Sequence, residues 1–165
     1  RELARRHLHV FGPTTPERFA RWAGVGRRAA GATHASLEPE LVPVRTPLGD
    51  EWLLAADEAA SRDTDEGPSG VRLLPSGDTY FLFQGADREL LVADPDRRRE
   101  LWTPRVWPGA LLVEGEIVGV WRRAQATVAV QTWRRLSRAA RDAVEAEAAS
   151  LPLPGIEGQT VVRWG

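Results

Sequence analysis

Apolar positions in the first third of the chain recur at helical spacing, then switch to strand spacing. Residues 2–11 carry Leu3, Leu8, Val10 and Phe11 around the polar pair Arg5 and Arg6. Leu3 and Val10 lie a heptad apart, and Leu8 and Phe11 are i, i+3, so one apolar stripe predicts a helix. Gly12-Pro13 stops it. In "TTPERFARWAG" a second helix begins. Thr14 would form a capping box with Glu17, whereas Thr15 as cap would put Pro16 at the first helical position. Phe19 and Trp22 are expected to point inward, and Gly24 to end the helix. "VGRRAAGATHASLE" predicts a third helix ended by Pro39, with Val25, Ala30, Thr33 or His34, and Leu37 facing in. "ELVPVRT" and "EWLLAAD", joined by "PLGD", predict a β-hairpin. Three helices followed by a hairpin is the order of a winged helix.

"AASRDTDEGPSG" has the composition of a loop. It divides the chain into a winged-helix domain at 1–58, a linker at 59–70 and a β-rich domain at 71–165. In the last, "GVRLLPSGDTYFLFQG" and "RELLVADP" have strand composition. "DPDRRRELW" reads as a short helical turn, and "GALLVEGEIVGVWRR" as a hairpin turning at Glu114-Gly115. "ATVAVQTWRRL" alternates in the manner of a strand, and "QTVVRWG" is a final strand. "SRAARDAVEAEAASL" predicts a helix near 137–151. Ser137 caps it, Ala140, Val144, Ala148 and Leu151 form its stripe, and Arg138 with Asp142 and Arg141 with Glu145 make i, i+4 pairs. The expected class is α+β: a winged helix followed by a β-rich, barrel-like unit with one long helix.

The third helix carries the functional question. Its outward face is Arg27, Arg28, Gly31, Ala32, Ala35 and Glu38. A base reader needs Arg, Asn, Gln or Lys along that face. Only the first turn supplies donors here, so Arg27 and Arg28 are suited to a phosphate beside a helix start, or to a solvated turn. Trp121-Arg122-Arg123 sets an aromatic beside two guanidinium forks, but Arg122 and Arg123 alternate along a strand, so at most one of them can face DNA.

Composition narrows the chemistry. The 165 residues are 42% hydrophobic and 27% charged, as in a globular chain. The net charge is −1, so any nucleic-acid footprint must be a local patch. All 22 basic residues are Arg, a bias that GC-rich coding would produce. There is no Cys, which excludes disulfides, thiolate metal sites and a Cys nucleophile. His7, His9 and His34 form no metal-like constellation, and His34 sits where the stripe wants a core residue. Asp78 and Arg88 suit a structural ion pair between strands. "DRRRE" at 96–100 reads as a solvated surface. No phosphate loop or nucleophile elbow occurs. No run is long enough to cross a membrane and no secretory signal is present, so a cytoplasmic location is expected. Position 1 is Arg rather than Met, as in a piece of a longer protein.

"FGPTTPERFARWAG", "ELVPV", "RELLVADPDRRRELW" and above all "LLVEGEIVGVWRR", in that order, resemble the winged-helix DNA-binding family that contains the AlkZ/YcaQ-type DNA glycosylases. The resemblance covers nearly the whole chain and corresponds to the C-terminal half of the family. It implies tandem winged helices curled around DNA, removal of alkylated bases and, in some members, unhooking of interstrand crosslinks. It further implies two partners, double-stranded DNA and upstream winged-helix domains of the same protein, and no cofactor. The family's F-D-x-Y is "SGDTYF" here, with Gly77 for Phe while Asp78 and Tyr80 match. Asp87-Arg88 matches as well, and Val120 stands for a Thr. The family's catalytic Gln-x-Gln or Gln-x-Asp would lie upstream of Arg1, and Gln125 and Gln131 are six apart in another context, so no catalytic residue is assigned. Three roles remain open: a sequence-nonspecific DNA-engaging module of a glycosylase-like protein, a winged-helix transcription regulator, and a structural or interaction module.

Overall fold

A computed structural model describes residues 1–63, 69–82, 87–152 and 160–165. The chain divides into two units, Arg1–Asp65 and Glu66–Gly165.

The first unit runs α1 (Glu2–Phe11), α2 (Pro16–Ala23), α3 (Arg27–Ala35), β1 (Leu41–Thr46), β2 (Gly49–Leu54) and a short α4 (Glu58–Arg62). Thr15 is the cap of α2: its hydroxyl accepts the Arg18 N–H at 3.3 Å, and Pro16 occupies the first turn. Thr14 is buried and exchanges two backbone hydrogen bonds with Trp52, which ties the α1–α2 corner to β2. Gly24 closes α2 in the left-handed region at φ 66°. β1 and β2 pair antiparallel from Leu41↔Leu54 to Thr46↔Gly49, forming the wing.

The core of this unit is Ala4, Leu8, Phe19, Ala20, Ala30, Leu37 and Leu54. The inward face of α1 is therefore Ala4, His7 and Leu8, whereas Leu3 and Val10 are exposed. The heptad spacing of the two outer residues misassigned the face. Ala4 and Leu8, at i, i+4, let the helix approach its neighbours closely. Trp22 and Val25, expected inside, are exposed too, because Phe19 and Ala20 supply the buried face of α2. His34 is buried as its stripe position requires. Glu40 accepts hydrogen bonds from Arg1 and Arg5 and so fixes α1 to the turn before β1. The segment expected to be a loop opens as α4, where Arg62 pairs with Glu58, and residues 64–68 of that segment lie outside the described ones.

The second unit holds β3 (Val71–Leu74), α5 (Asp87–Leu91), α6 (Pro95–Leu101), β4 (Gly109–Val113), β5 (Glu116–Ala124), β6 (Thr127–Thr132), α7 (Arg138–Ser150) and β7 (Val161–Trp164). The strands form one open sheet in the order β3-β4-β5-β6-β7, not a closed barrel. The first four are antiparallel neighbours, and β7 runs parallel to β6. A parallel pair needs a crossover, and α7 is that crossover. It packs Val144 and Ala148 onto Val71, Leu73, Leu111, Val128 and Val130 on one face of the sheet. On the other face Phe81, Val92, Leu101 and Trp102 cover Ala110, Leu112, Ile117 and Val120. Buried on both faces, β4 reads as a continuous apolar run.

The β4–β5 hairpin turns at Glu114 (φ 50°) and Gly115 (φ 80°), the two positive values that a tight hairpin turn requires. "RELLVADP" is not a strand. Asp87–Leu91 is helical, Asp94 then caps α6 by accepting the Asp96 N–H at 2.8 Å, and four consecutive apolar residues were too few to fix a period. "TYF" in the preceding segment is a 3₁₀ turn rather than a strand, and residues 83–86 lie outside the described ones. Ser137 caps α7 as expected, and Arg138 reaches Asp142 at 4.0 Å. Arg141 instead stacks over the Trp164 ring at 4.4 Å, while Glu145 accepts the Trp164 indole N–H at 3.2 Å.

Candidate nucleic-acid interface

α3 is the helix a winged helix presents to DNA. Its cap is Gly26, which has no side chain to satisfy the first-turn N–H groups. Arg27 and Arg28 follow directly and are exposed. Arg27 lines a shallow cleft of about 380 Å³ with Glu17, Ala20, Arg21 and Val25. Among the described residues Arg21, Arg27 and Arg28 make no ion pair. Sequence reasoning missed Arg21. It lies one turn after Glu17 on the outer side of α2, and only the packing of α2 against α3 brings it to Arg27. Beyond this cationic start, the exposed positions of α3 are Ala29, Ala32 and Ala35, with half-buried Gly31 and Thr33 on either flank. A Cβ added at Gly31 would meet no atom within 4 Å, so its surface is open. Such a surface permits close approach but offers no side chain to a base edge. The wing adds no net charge there, because Arg45 is tied to Asp50 across the hairpin at 3.0 Å.

Two titratable side chains lie beneath this surface. His7 is buried among Phe11, Phe19 and Trp22, with ring centroids 5.1, 5.3 and 4.9 Å away. Burial, with a smaller contribution from His34, pushes its pKa down to about 4. Burial likewise lowers His34, whose ring lies 5.9 Å from that of Phe19. Both rings are neutral at physiological pH and act as core residues. His9 is exposed and pairs with Asp57 through Nδ1 at 2.9 Å.

In the second unit Arg122 and Arg123 sit side by side on β5 and leave it on opposite faces. Arg123 is in register with Val128, which is buried under α7, so it shares that side of the sheet. Its guanidinium donates to the Gln125 carbonyl at 3.2 Å. Arg122 is in register with exposed Ala129 on the opposite face, and it donates to the Val106 carbonyl at 3.0 Å. Trp121 packs toward α7, and its indole N–H donates to the Leu74 carbonyl at 2.9 Å.

Asp78 caps the 3₁₀ turn by accepting the Tyr80 N–H at 2.9 Å, and the Tyr80 hydroxyl donates to the Gly115 carbonyl at 3.2 Å. The Arg88 guanidinium lies over Trp102 and Trp107, 5.0 and 5.7 Å from the ring centroids, and burial lowers its pKa. The "DRRRE" stretch forms most of α6. There Arg97 pairs with Glu100 at 2.7 Å, and Glu100 accepts the Trp133 indole N–H at 2.8 Å.

Three helices, a two-stranded wing, and an attached open sheet crossed by one long helix define a mixed α+β protein of the winged-helix class. The chain belongs to the AlkZ-like DNA glycosylase family, whose model, described as DNA glycosylase AlkZ-like, matches residues 1–152. It is similar to an interstrand DNA cross-link repair glycosylase of Streptomyces sahachiroi, with 27% identity over 154 residues, which cover 87% of this chain and 39% of that protein. The solved structure of Streptomyces sahachiroi DNA glycosylase AlkZ matches with a TM-score of 0.77 and 25% identity, over 96% of this chain and 43% of that one. The chain thus spans less than half the length of the relatives it matches. Among the described residues no helix is long and apolar enough to cross a membrane.

Proposed function

We propose that the chain is a DNA-holding module of a glycosylase-like repair protein, gripping the duplex by its phosphate backbone without reading sequence. The observation that carries this reading is α3 itself. Two exposed arginines without ion pairs open it, alanines fill its other exposed positions, and the Thr33 hydroxyl at the flank donates to the Ala29 carbonyl. Phosphate contacts position a protein on DNA, and base contacts specify the sequence. This helix has the means for the first and lacks the means for the second. One arginine of the Arg122–Arg123 pair supplies a second backbone contact. Family membership supports DNA as the partner, and the similarity to a cross-link repair glycosylase supports damaged DNA as the target.

On this reading base release needs residues outside this chain. The Gln-x-Gln or Gln-x-Asp motif that the family resemblance calls for does not occur in residues 1–165. Upstream winged-helix domains of the same protein would carry it and complete the grip on DNA.

The test is binding of the chain and of Arg27→Ala/Arg28→Ala to duplexes of unrelated sequence. The double variant is expected to bind every duplex more weakly, and to flatten the log–log salt dependence by about two. A loss confined to one sequence would instead assign α3 to base reading. Release of an alkylated base by the 165-residue chain alone would show that the catalytic groups are within it.

A further inference from the structure

Strand pairing in the second unit assembles a feature that residue spacing hides. Arg122 on β5 is in register with Ala129 on β6, and Ala129 with Arg163 on β7. Residues in register project from the same face. All three are exposed, and they lie opposite α7, since Trp121, Val130 and Trp164 in the next register row pack toward that helix. Neighbouring strands are about 4.8 Å apart, which places the two arginines about 10 Å apart across the small Ala129. Gln131, exposed two residues further along β6, stands on the same side. Stretches 117–124, 127–132 and 161–164 contain no Asp or Glu. Among the described residues neither Arg122 nor Arg163 makes an ion pair. One N–H of Arg122 is held by the Val106 carbonyl, which orients the fork and leaves its other donors available. Arg123 is on the far side, turned back onto the Gln125 carbonyl.

We infer that this sheet face is a second contact for the phosphate backbone of duplex DNA, with Arg122 and Arg163 as its two forks and Ala129 as the floor between them. The inference rests on the DNA-holding reading above and assigns residues to it. Guanidinium forks match phosphate oxygens in pairs. Two forks rooted about 10 Å apart on long, flexible stems can reach separate phosphates of one strand. The face is cationic, and its exposed apolar side chains are Ala129 between the forks, Val161 on the edge strand and Val106 beside Arg122. Between the two forks stands only Ala129, so no aromatic or large aliphatic side chain occupies the centre on which a protein partner would anchor. The selection of Arg122 over Arg123 follows from the faces they occupy.

The experiment measures duplex binding by the 165-residue chain across salt concentrations, for the unaltered chain and for Arg122→Ala, Arg163→Ala, their double and Arg123→Ala, with circular dichroism on each. Arg122→Ala and Arg163→Ala are each expected to flatten the log–log slope by about one, and the double by about two, whereas Arg123→Ala leaves it unchanged. Arg163→Gln, at an exposed position on the edge strand, gives the same answer without relying on the fold of the double variant. An unaltered slope in the double, with firm duplex binding by the parent chain, overturns this face as a contact and leaves the α3 reading standing. A slope flattened equally by Arg123→Ala also overturns it. Absence of duplex binding by the unaltered chain overturns both readings together.

Discussion

Glu51 is 4% exposed, and its carboxylate meets the Arg18 guanidinium at 2.7 Å, joining α2 to β2. Removing one partner of such a pair leaves the other charge buried without compensation. Glu51→Ala is therefore expected to cost about 3–5 kcal/mol in urea unfolding, whereas Arg18→Met with Glu51→Leu should lie close to the parent protein. His7 behaves differently. Its folded pKa of about 4 is below the ordinary value of 6.5, so the fold favours the neutral ring. The stability this confers is complete above pH 6.5 and is lost as pH falls toward 4, amounting to about 3 kcal/mol at the acid end. His34 is lowered for the same reason and adds in the same direction. Thermal melts of the parent and of His7→Leu from pH 7 to pH 4 should show a steep decline in the first and a shallower one in the second. The sequence placed His34 in the core from its stripe position. It did not place His7 there, because the Leu3–Val10 heptad pointed to the wrong face of α1, and the aromatic cage around His7 comes from two different helices.

Elements with strong local signals were legible, and those set by tertiary pairing were not. Thr15-Pro16, Asp94-Pro95 and Ser137 each mark a helix start with a cap and a matching first turn. Glu114-Gly115 marks the hairpin. "RELLVADP" carried no decisive period and became α5. β7 was legible as a strand, but its parallel pairing with β6, and with it the Arg122–Ala129–Arg163 row, depends on the α7 crossover. The register shift in the β4–β5 pair was equally hidden. It lies beside Gly119, where an added Cβ would stand 2.3 Å from the Gln131 carbonyl oxygen and 3.0 Å from the Thr132 Cα. Gly119→Ala must push two backbones apart at the centre of the sheet. A loss of about 1–3 kcal/mol is expected in denaturant unfolding, and more if the strands cannot separate. Gly31→Ala, on an open helix surface, should instead stabilise by up to about 1 kcal/mol.

At the scale of the whole chain, a net charge of −1 coexists with local arginine surfaces because, among the described residues, many acids are held in ion pairs elsewhere. Glu2 and Glu40 hold Arg1, Arg5 and Arg6, Asp50 holds Arg45, and Glu58 holds Arg62. At the start of α3 and on the outer face of β5–β7, exposed arginines make no ion pair among the described residues, and these are the surfaces proposed for DNA. Membership of the AlkZ-like DNA glycosylase family makes duplex DNA the partner to test. The most direct measurement is competition between two duplexes of equal length and unrelated sequence for the 165-residue chain, from low to physiological salt. Equal affinities for the two are expected at every salt concentration, with a steep loss common to both as salt rises. A clear preference for one sequence that persists as salt rises, or binding indifferent to salt, would contradict this expectation.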